Sequence, residues 1–102
     1  MAITVVGLRQ ICPLRIVVVT SGNLTAGGEI NTDYVYFISG AHALTMPTAV
    51  SNTCRYSIKN NHSSAVTVST TSSQTIDGTT TIQISPEDSI DLVSDGANWR
   101  VI

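Results

Sequence analysis

Charge is what this chain of 102 residues has least of: only 12% of it is Asp, Glu, Lys or Arg, about half the share usual in a soluble protein. The five basic residues, Arg9, Arg15, Arg55, Lys59 and Arg100, are scattered. No basic stripe exists to track a phosphate backbone, which argues against a nucleic-acid partner. Long apolar runs are also missing. The longest, Ile16-Val17-Val18-Val19, falls far short of the roughly 20 residues that span a bilayer as a helix, so membrane insertion is not expected. The first eight residues show no positive start followed by an apolar stretch, and no signal peptide is read there. Large rings are few: Tyr34, Tyr36, Phe37, Tyr56 and Trp99. The two cysteines, Cys12 and Cys54, are expected to stay reduced in a cytosolic product. Cys54, in phase with Tyr56 and Ile58, reads as a small core hydrophobe.

The chemistry-bearing patterns are equally thin. His42 and His62 have no second His or Cys at zinc-ligand spacing, so no metal site is expected on them. Glu87, Asp88, Asp91 and Asp95 cluster near the C-terminus, but Asp91 lies on a strand with the others at turns. They read as solvated turn carboxylates rather than as converging calcium ligands. No Gly-x-Ser-x-Gly elbow supports a Ser–His–Asp site. Gly27-Gly28 has no Gly-Lys-Ser/Thr sequel that would make a phosphate loop. Asn23-Leu24-Thr25 and Asn61-His62-Ser63 fit the glycosylation pattern, which has no meaning without secretion. Neither catalysis nor a cofactor is expected.

What is present is a wealth of hydroxyls and β-branched side chains. Roughly a quarter of the residues are Ser or Thr, and such sequences favour strands because χ1 is restricted against a helical turn. Residues 14–20 form a continuous apolar β run, which predicts burial on both faces, inside the fold or against another subunit. Residues 34–39 are a strong strand, and residues 43–46 a shorter one stopped by Pro47. Residues 48–53 are a polar connection with room for one turn of helix. Residues 54–59 alternate cleanly, with Cys54, Tyr56 and Ile58 on one face. Val66 and Val68 point inward on the next segment. Asp77-Gly78 is a strong hairpin signal, followed by a strand carrying Ile82 and Ile84. Residues 89–94 carry Ile90 and Leu92, and Asp95-Gly96 turns the chain into Trp99. Eight or nine short strands, with turns every 8–12 residues and no helical period, predict an all-β domain. The expected form is a small antiparallel β-sandwich or jelly-roll-like barrel.

Three segments taken in order carry a resemblance: Tyr56-Ser57-Ile58-Lys59-Asn60, Gln74-Thr75-Ile76-Asp77-Gly78, and Leu92-Val93-Ser94-Asp95-Gly96-Ala97-Asn98-Trp99-Arg100-Val101-Ile102. They resemble a C-terminal β module of tailed-bacteriophage virion proteins, of the tail-fibre head, head-fibre and capsid decoration type. The likeness covers residues 24–102, and its most specific part is the Ser-Asp-Gly-x-Asn-Trp ending. Asp77, Gly78, Asp95, Gly96 and Trp99 are its structural motif.

The resemblance implies an enzymatically inert homotrimer that is a structural part of a virion assembled in the host cytoplasm. Residues 1–23 are then an N-terminal arm and first strand, and residues 24–102 the virion module. Fibre heads usually follow a long stalk, and only some 23 residues precede the module here. That shifts the expectation to a capsid decoration, cement or minor capsid protein. Its arm would dock on the major capsid protein through Val5, Val6, Leu8 and Ile11, and Ile16, Val17, Val18 and Val19 would form the subunit interface. The alternative is a tail-fibre or head-fibre tip that binds a host-surface receptor.

Overall fold

The computed structural model of this chain describes residues 13–29, 31–40 and 43–102. Within them the backbone forms nine strands: β1 Leu14–Val19, β2 Leu24–Thr25, β3 Asp33–Ile38, β4 Ala43–Thr45, β5 Tyr56–Asn60, β6 Val66–Ser69, β7 Thr81–Ile84, β8 Ser89–Ser94 and β9 Trp99–Val101. They make two sheets, a five-stranded one in the order β1-β3-β5-β8-β9 and a four-stranded one in the order β2-β4-β6-β7. The all-β class and the two-sheet layout are as expected.

The pairing is not. β1, β3 and β5 run parallel, and so do β2, β4 and β6. The chain therefore coils. Three times in succession it lays one strand in the first sheet, turns a corner, and lays the next in the second. Parallel neighbours need a crossover, and here each crossover runs through the opposite sheet. Antiparallel pairing begins only where the coil ends. There β7 folds back on β6, β8 on β5, and β9 on β8. The result is a short two-sided β-solenoid closed at its C-terminal end by reversed strands. An antiparallel sandwich was expected because its turns recur at the same spacing as solenoid corners. A corner that passes the chain to the other sheet and a hairpin that reverses it use the same turn residues.

Alternation sets the core between the sheets. Tyr34, Tyr36 and Ile38 of β3 lie beside Tyr56, Ile58 and Asn60 of β5 in register, and all six are buried. Leu44, Val66, Val68 and Ile84 face them from the second sheet. Cys54 is buried too, as its phase on the sequence implied. Cys12 lies outside the described residues. The 48–53 connection contains no helical turn, and Ser51 adopts a left-handed φ of 60° there.

One buried polar side chain organises a corner. Asn60, fully buried, donates from its amide to the carbonyls of Ser64 and Ile84, each at 2.9 Å. Its Oδ1 accepts the His62 N–H at 2.7 Å. Buried polar groups are tolerated when so satisfied, and the same bonds shape the turn that carries His62. His42 lies outside the described residues.

Candidate functional site

β1 is the last strand of its sheet, and among the described residues nothing pairs with its outer edge. Its side chains alternate. Val17 packs on the core and Val19 is buried, whereas Leu14, Ile16 and Val18 are 62%, 60% and 62% exposed. Of the two ways in which residues 14–20 were expected to be buried on both faces, burial inside a single chain is met on one face only, which leaves contact with another subunit for the outer face. Among the described residues no layer covers the outer face of this sheet. Register places Ile16 beside Val35 and Val18 beside Phe37. Leu14, Ile16, Val18, Val35 and Phe37 then form one apolar field on the outer face of β1 and β3.

Across β5 and β8 the same face becomes polar. Ser57 pairs with Asp91 and Lys59 with Ser89. The Asp91 carboxylate accepts from the Ser57 hydroxyl and from Arg55, each at 2.5 Å, and Lys59 sits 3.8 Å from Glu87. The Ser57 bond first, then Arg55, holds the Asp91 carboxyl below its usual range. Half of the face is therefore apolar and half is charge-paired. Apolar area of this kind is informative when contiguous, because scattered exposed aliphatics are normal.

Of the four predicted interface residues, the structure turns Ile16 and Val18 outward and commits Val17 and Val19 to the core. Leu14, Val35 and Phe37 join the outward pair and were not singled out from sequence. The signal was available: alternation within residues 14–19, once that run is taken as an edge strand, separates the two sets. The predicted docking residues Val5, Val6, Leu8 and Ile11 lie outside the described residues.

The C-terminal motif is a clasp. Asp77 and Gly78 both have positive φ, 48° and 93°, the geometry of the tight two-residue turn that closes right-twisted hairpins. Ile76 and Thr79 exchange both backbone bonds across it, at 2.6 and 3.0 Å. In the second turn the Asp95 carboxylate accepts from the N–H groups of Ala97 and Asn98, at 3.0 and 2.9 Å, and Gly96 supplies a φ of 104°. The Asn98 side-chain amide oxygen, Oδ1, accepts the Thr75 N–H at 2.9 Å. The Trp99 indole, fully buried, donates to the Pro47 carbonyl at 3.1 Å and meets the Tyr56 ring edge-on at 5.2 Å. Each residue of Ser-Asp-Gly-x-Asn-Trp thus has a structural task, Ser94 bonding the Ala49 carbonyl and accepting the Gly96 N–H.

The backbone N–H groups of Asn98 and Ala97, with Arg100 beside them, lower the Asp95 carboxyl from 3.8 to about 2. A depressed folded-state pKa contributes stability that is complete above the unfolded value and lost as pH falls through the folded one. Urea unfolding midpoints should therefore fall between about pH 4 and pH 2, and less steeply in Asp95→Asn than in the wild type. Superimposable pH profiles for the two proteins would remove this turn from the acid response.

Two hollows flank the loop around Gly28 and Glu29. One, of about 350 Å³, is lined by Val17, Leu24, Thr25, Tyr34 and Tyr36, with the Arg15–Glu29 ion pair at its mouth. The other, of about 300 Å³, lies between Pro47, Asn52, Cys54 and Tyr56. The three tyrosines stack in a row, with ring centroids 5.6 Å apart in each pair. Their hydroxyls are engaged: Tyr36 and Tyr34 accept from the N–H groups of Gly27 and Glu29, and Tyr56 accepts from the Asn52 amide. Burial pushes the Tyr36 phenol up to about 12, against the lowering effect of the Gly27 bond. Among the described residues no group of three or more His, Cys, Asp or Glu is placed to hold a metal ion.

No family model matches this chain, and no curated protein or solved structure matches it either.

Proposed function

We propose that this protein is a non-catalytic structural component of a bacteriophage virion, a capsid decoration protein that binds the major capsid protein as a homotrimer. The observation that carries the reading is the outward apolar field on β1 and β3, which leaves Leu14, Ile16 and Val18 more than half exposed. Contacts between copies of the chain would cover this field, each side chain contributing roughly 1.5–3 kcal/mol when fully buried. The Ser94-Asp95-Gly96-Ala97-Asn98-Trp99 ending supports the virion assignment through its resemblance. Residues Val5, Val6, Leu8 and Ile11 are the proposed contact with the capsid. Decoration is preferred over a receptor-binding fibre tip because Trp99, Tyr34, Tyr36 and Tyr56 are all buried. None of these rings is left as a platform for a host saccharide.

The test combines mass with location. In solution the wild type is expected at three times 10.8 kDa, and the Ile16→Asp/Val18→Asp double variant at the single-chain mass with its Trp99 fluorescence unchanged. A wild-type protein that sediments as a single chain at working concentrations overturns the trimer. On intact particles, density for the chain at regular positions of the head shell is expected. Density at the tail tip would replace decoration with the fibre reading.

A further inference from the structure

The inner face of the five-stranded sheet has one row that its side chains do not fill. In that row Tyr34 of β3 lies beside Tyr56 of β5, and both rings are buried. On the other side of Tyr34 the same row continues into β1 with Arg15. A guanidinium is costly to hold in an apolar core without a partner. Its side chain, 55% exposed, reaches instead to Glu29. The space it leaves beside Tyr34 belongs to the hollow of about 350 Å³ between Val17, Leu24 and the two tyrosines of β3.

The polar groups around this hollow are mostly donors. Tyr34 and Tyr36 are only 3% and 1% exposed. Their rings stack 5.6 Å apart, so both phenol tips end together under the loop that carries Gly27 and Glu29. There the Tyr36 oxygen accepts the Gly27 N–H at 2.8 Å, and the Tyr34 oxygen accepts the Glu29 N–H at 2.9 Å. Among the described residues neither phenol proton has an acceptor. Burial keeps the Tyr36 phenol protonated up to about pH 12, so it remains a donor in neutral solution.

Arg15 adds to the same surplus. A guanidinium carries five N–H donors, and the pairing with Glu29 engages one nitrogen, Nη1. The only carboxylate among the lining side chains, that of Glu29, is taken by this pair. Buried donors that lack acceptors are unfavourable. Two of them side by side, with a cation at the mouth, select an acceptor that is itself anionic.

We propose that this hollow binds a small organic carboxylate with an apolar body. The carboxylate takes the Tyr34 and Tyr36 O–H protons and the N–H groups of Arg15 that Glu29 leaves open. The apolar body lies on Val17 and Leu24. The volume is at the small end for ligand sites, which admits one ring or a short chain and excludes a peptide or an oligosaccharide. The stacked tyrosine faces are occupied by one another, and only their tips take part. The proposal rests on the hollow and its donors, and it holds or fails independently of the virion reading.

Titration of the full chain with benzoate, followed amide by amide in nitrogen–proton NMR spectra, decides it. The Gly27 and Glu29 amides report directly, because they donate to the two phenol oxygens. Both should move saturably at millimolar benzoate, while the Asn52 amide at the second hollow stays in place. Benzamide, of the same shape but uncharged, should bind about tenfold more weakly. Arg15→Gln alters an exposed side chain and should weaken benzoate about tenfold while leaving benzamide unchanged. Tyr36→Phe should also weaken benzoate, with Trp99 fluorescence as the check that the fold is kept. Gly27 and Glu29 amides that do not saturate overturn the proposal, and so do shifts centred on Asn52 and Cys54. Equal affinity for benzoate and benzamide, or an Arg15→Gln variant that binds benzoate as the wild type does, overturns it as well.

Discussion

Replacing Trp99 with alanine should lower the unfolding free energy by about 3–5 kcal/mol, the range for truncating a buried large aromatic. The side chain is fully buried between the sheets, and its loss removes three things at once. The edge-on contact with Tyr56 at 5.2 Å disappears. The Pro47 carbonyl loses its indole donor. A cavity opens beside Ile76, which is itself bridged to Trp99. For a domain of about 100 residues each kcal/mol corresponds to about 4–8 °C, so the melting temperature should drop by more than about 12 °C. Trp99→Phe keeps most of the area but leaves the Pro47 carbonyl without its donor, and should cost about 1–3 kcal/mol. Chemical unfolding of the three proteins gives the ordering. An alanine variant within 1 kcal/mol of wild type would mean that the C-terminal clasp is not what closes this core.

The second large effect is expected at Gly40, where one coil corner lies on the one before it. A Cβ added there would stand 1.9 Å from the Thr20 carbonyl oxygen and 2.7 Å from its carbon. Both are backbone atoms, so no side chain can swing aside. The corners are tied by ladder bonds that continue beyond the strands, from the Ser39 N–H to the Val19 carbonyl and from the Asn61 N–H to the Ile38 carbonyl. Overpacking a core costs about 1–3 kcal/mol when side chains can yield. Gly40→Ala forces backbone apart and should cost about 3 kcal/mol, the upper end of that range.

Gly78→Ala is the informative control. It has nothing within 4 Å of the added carbon and only its φ of +93° to oppose it, a strain of about 1–2 kcal/mol. Equal losses for the two variants, read from urea midpoints, would show that corner stacking is not the constraint at Gly40.

Much of the secondary structure was legible along the chain because short alternating segments report their own phase. Tyr34, Tyr36, Tyr56, Ile58, Val66 and Val68 are buried on the faces that alternation implies. Asp77-Gly78 makes the tight turn that its composition demands. The direction of pairing was not legible in the same way. Residues 20–23 and 39–42 carry Ser and Gly whether the chain reverses beside its own strand or crosses to the opposite sheet. The internal repeat that distinguishes the two cases is weak. Its coils share only an aliphatic–hydroxyl pair and vary between 20 and 24 residues, so it emerges only when the register aligns them.

The candidate surface divides in the same manner. An apolar run at residues 14–19 is plain in the sequence, yet six consecutive aliphatic or charged residues do not say which are core. The partner strand decided that. β3 presents Tyr36 and Ile38 beside Val17 and Val19, and Val35 and Phe37 beside Ile16 and Val18, which splits the run into a buried set and an exposed one.

By itself, then, the sequence determined the β class, the turns and the inward phase of most strands, because these depend on residues two to four positions apart. The clasp residues Asp95, Gly96 and Trp99 belong to that part. The tertiary structure alone decided that the chain coils through parallel strands, that Gly40 must carry no side chain, and that the apolar field on β1 faces outward. Those features arise between residues about 20 positions apart. Such contacts are set by which strands lie side by side, and local periodicity carries no record of that choice.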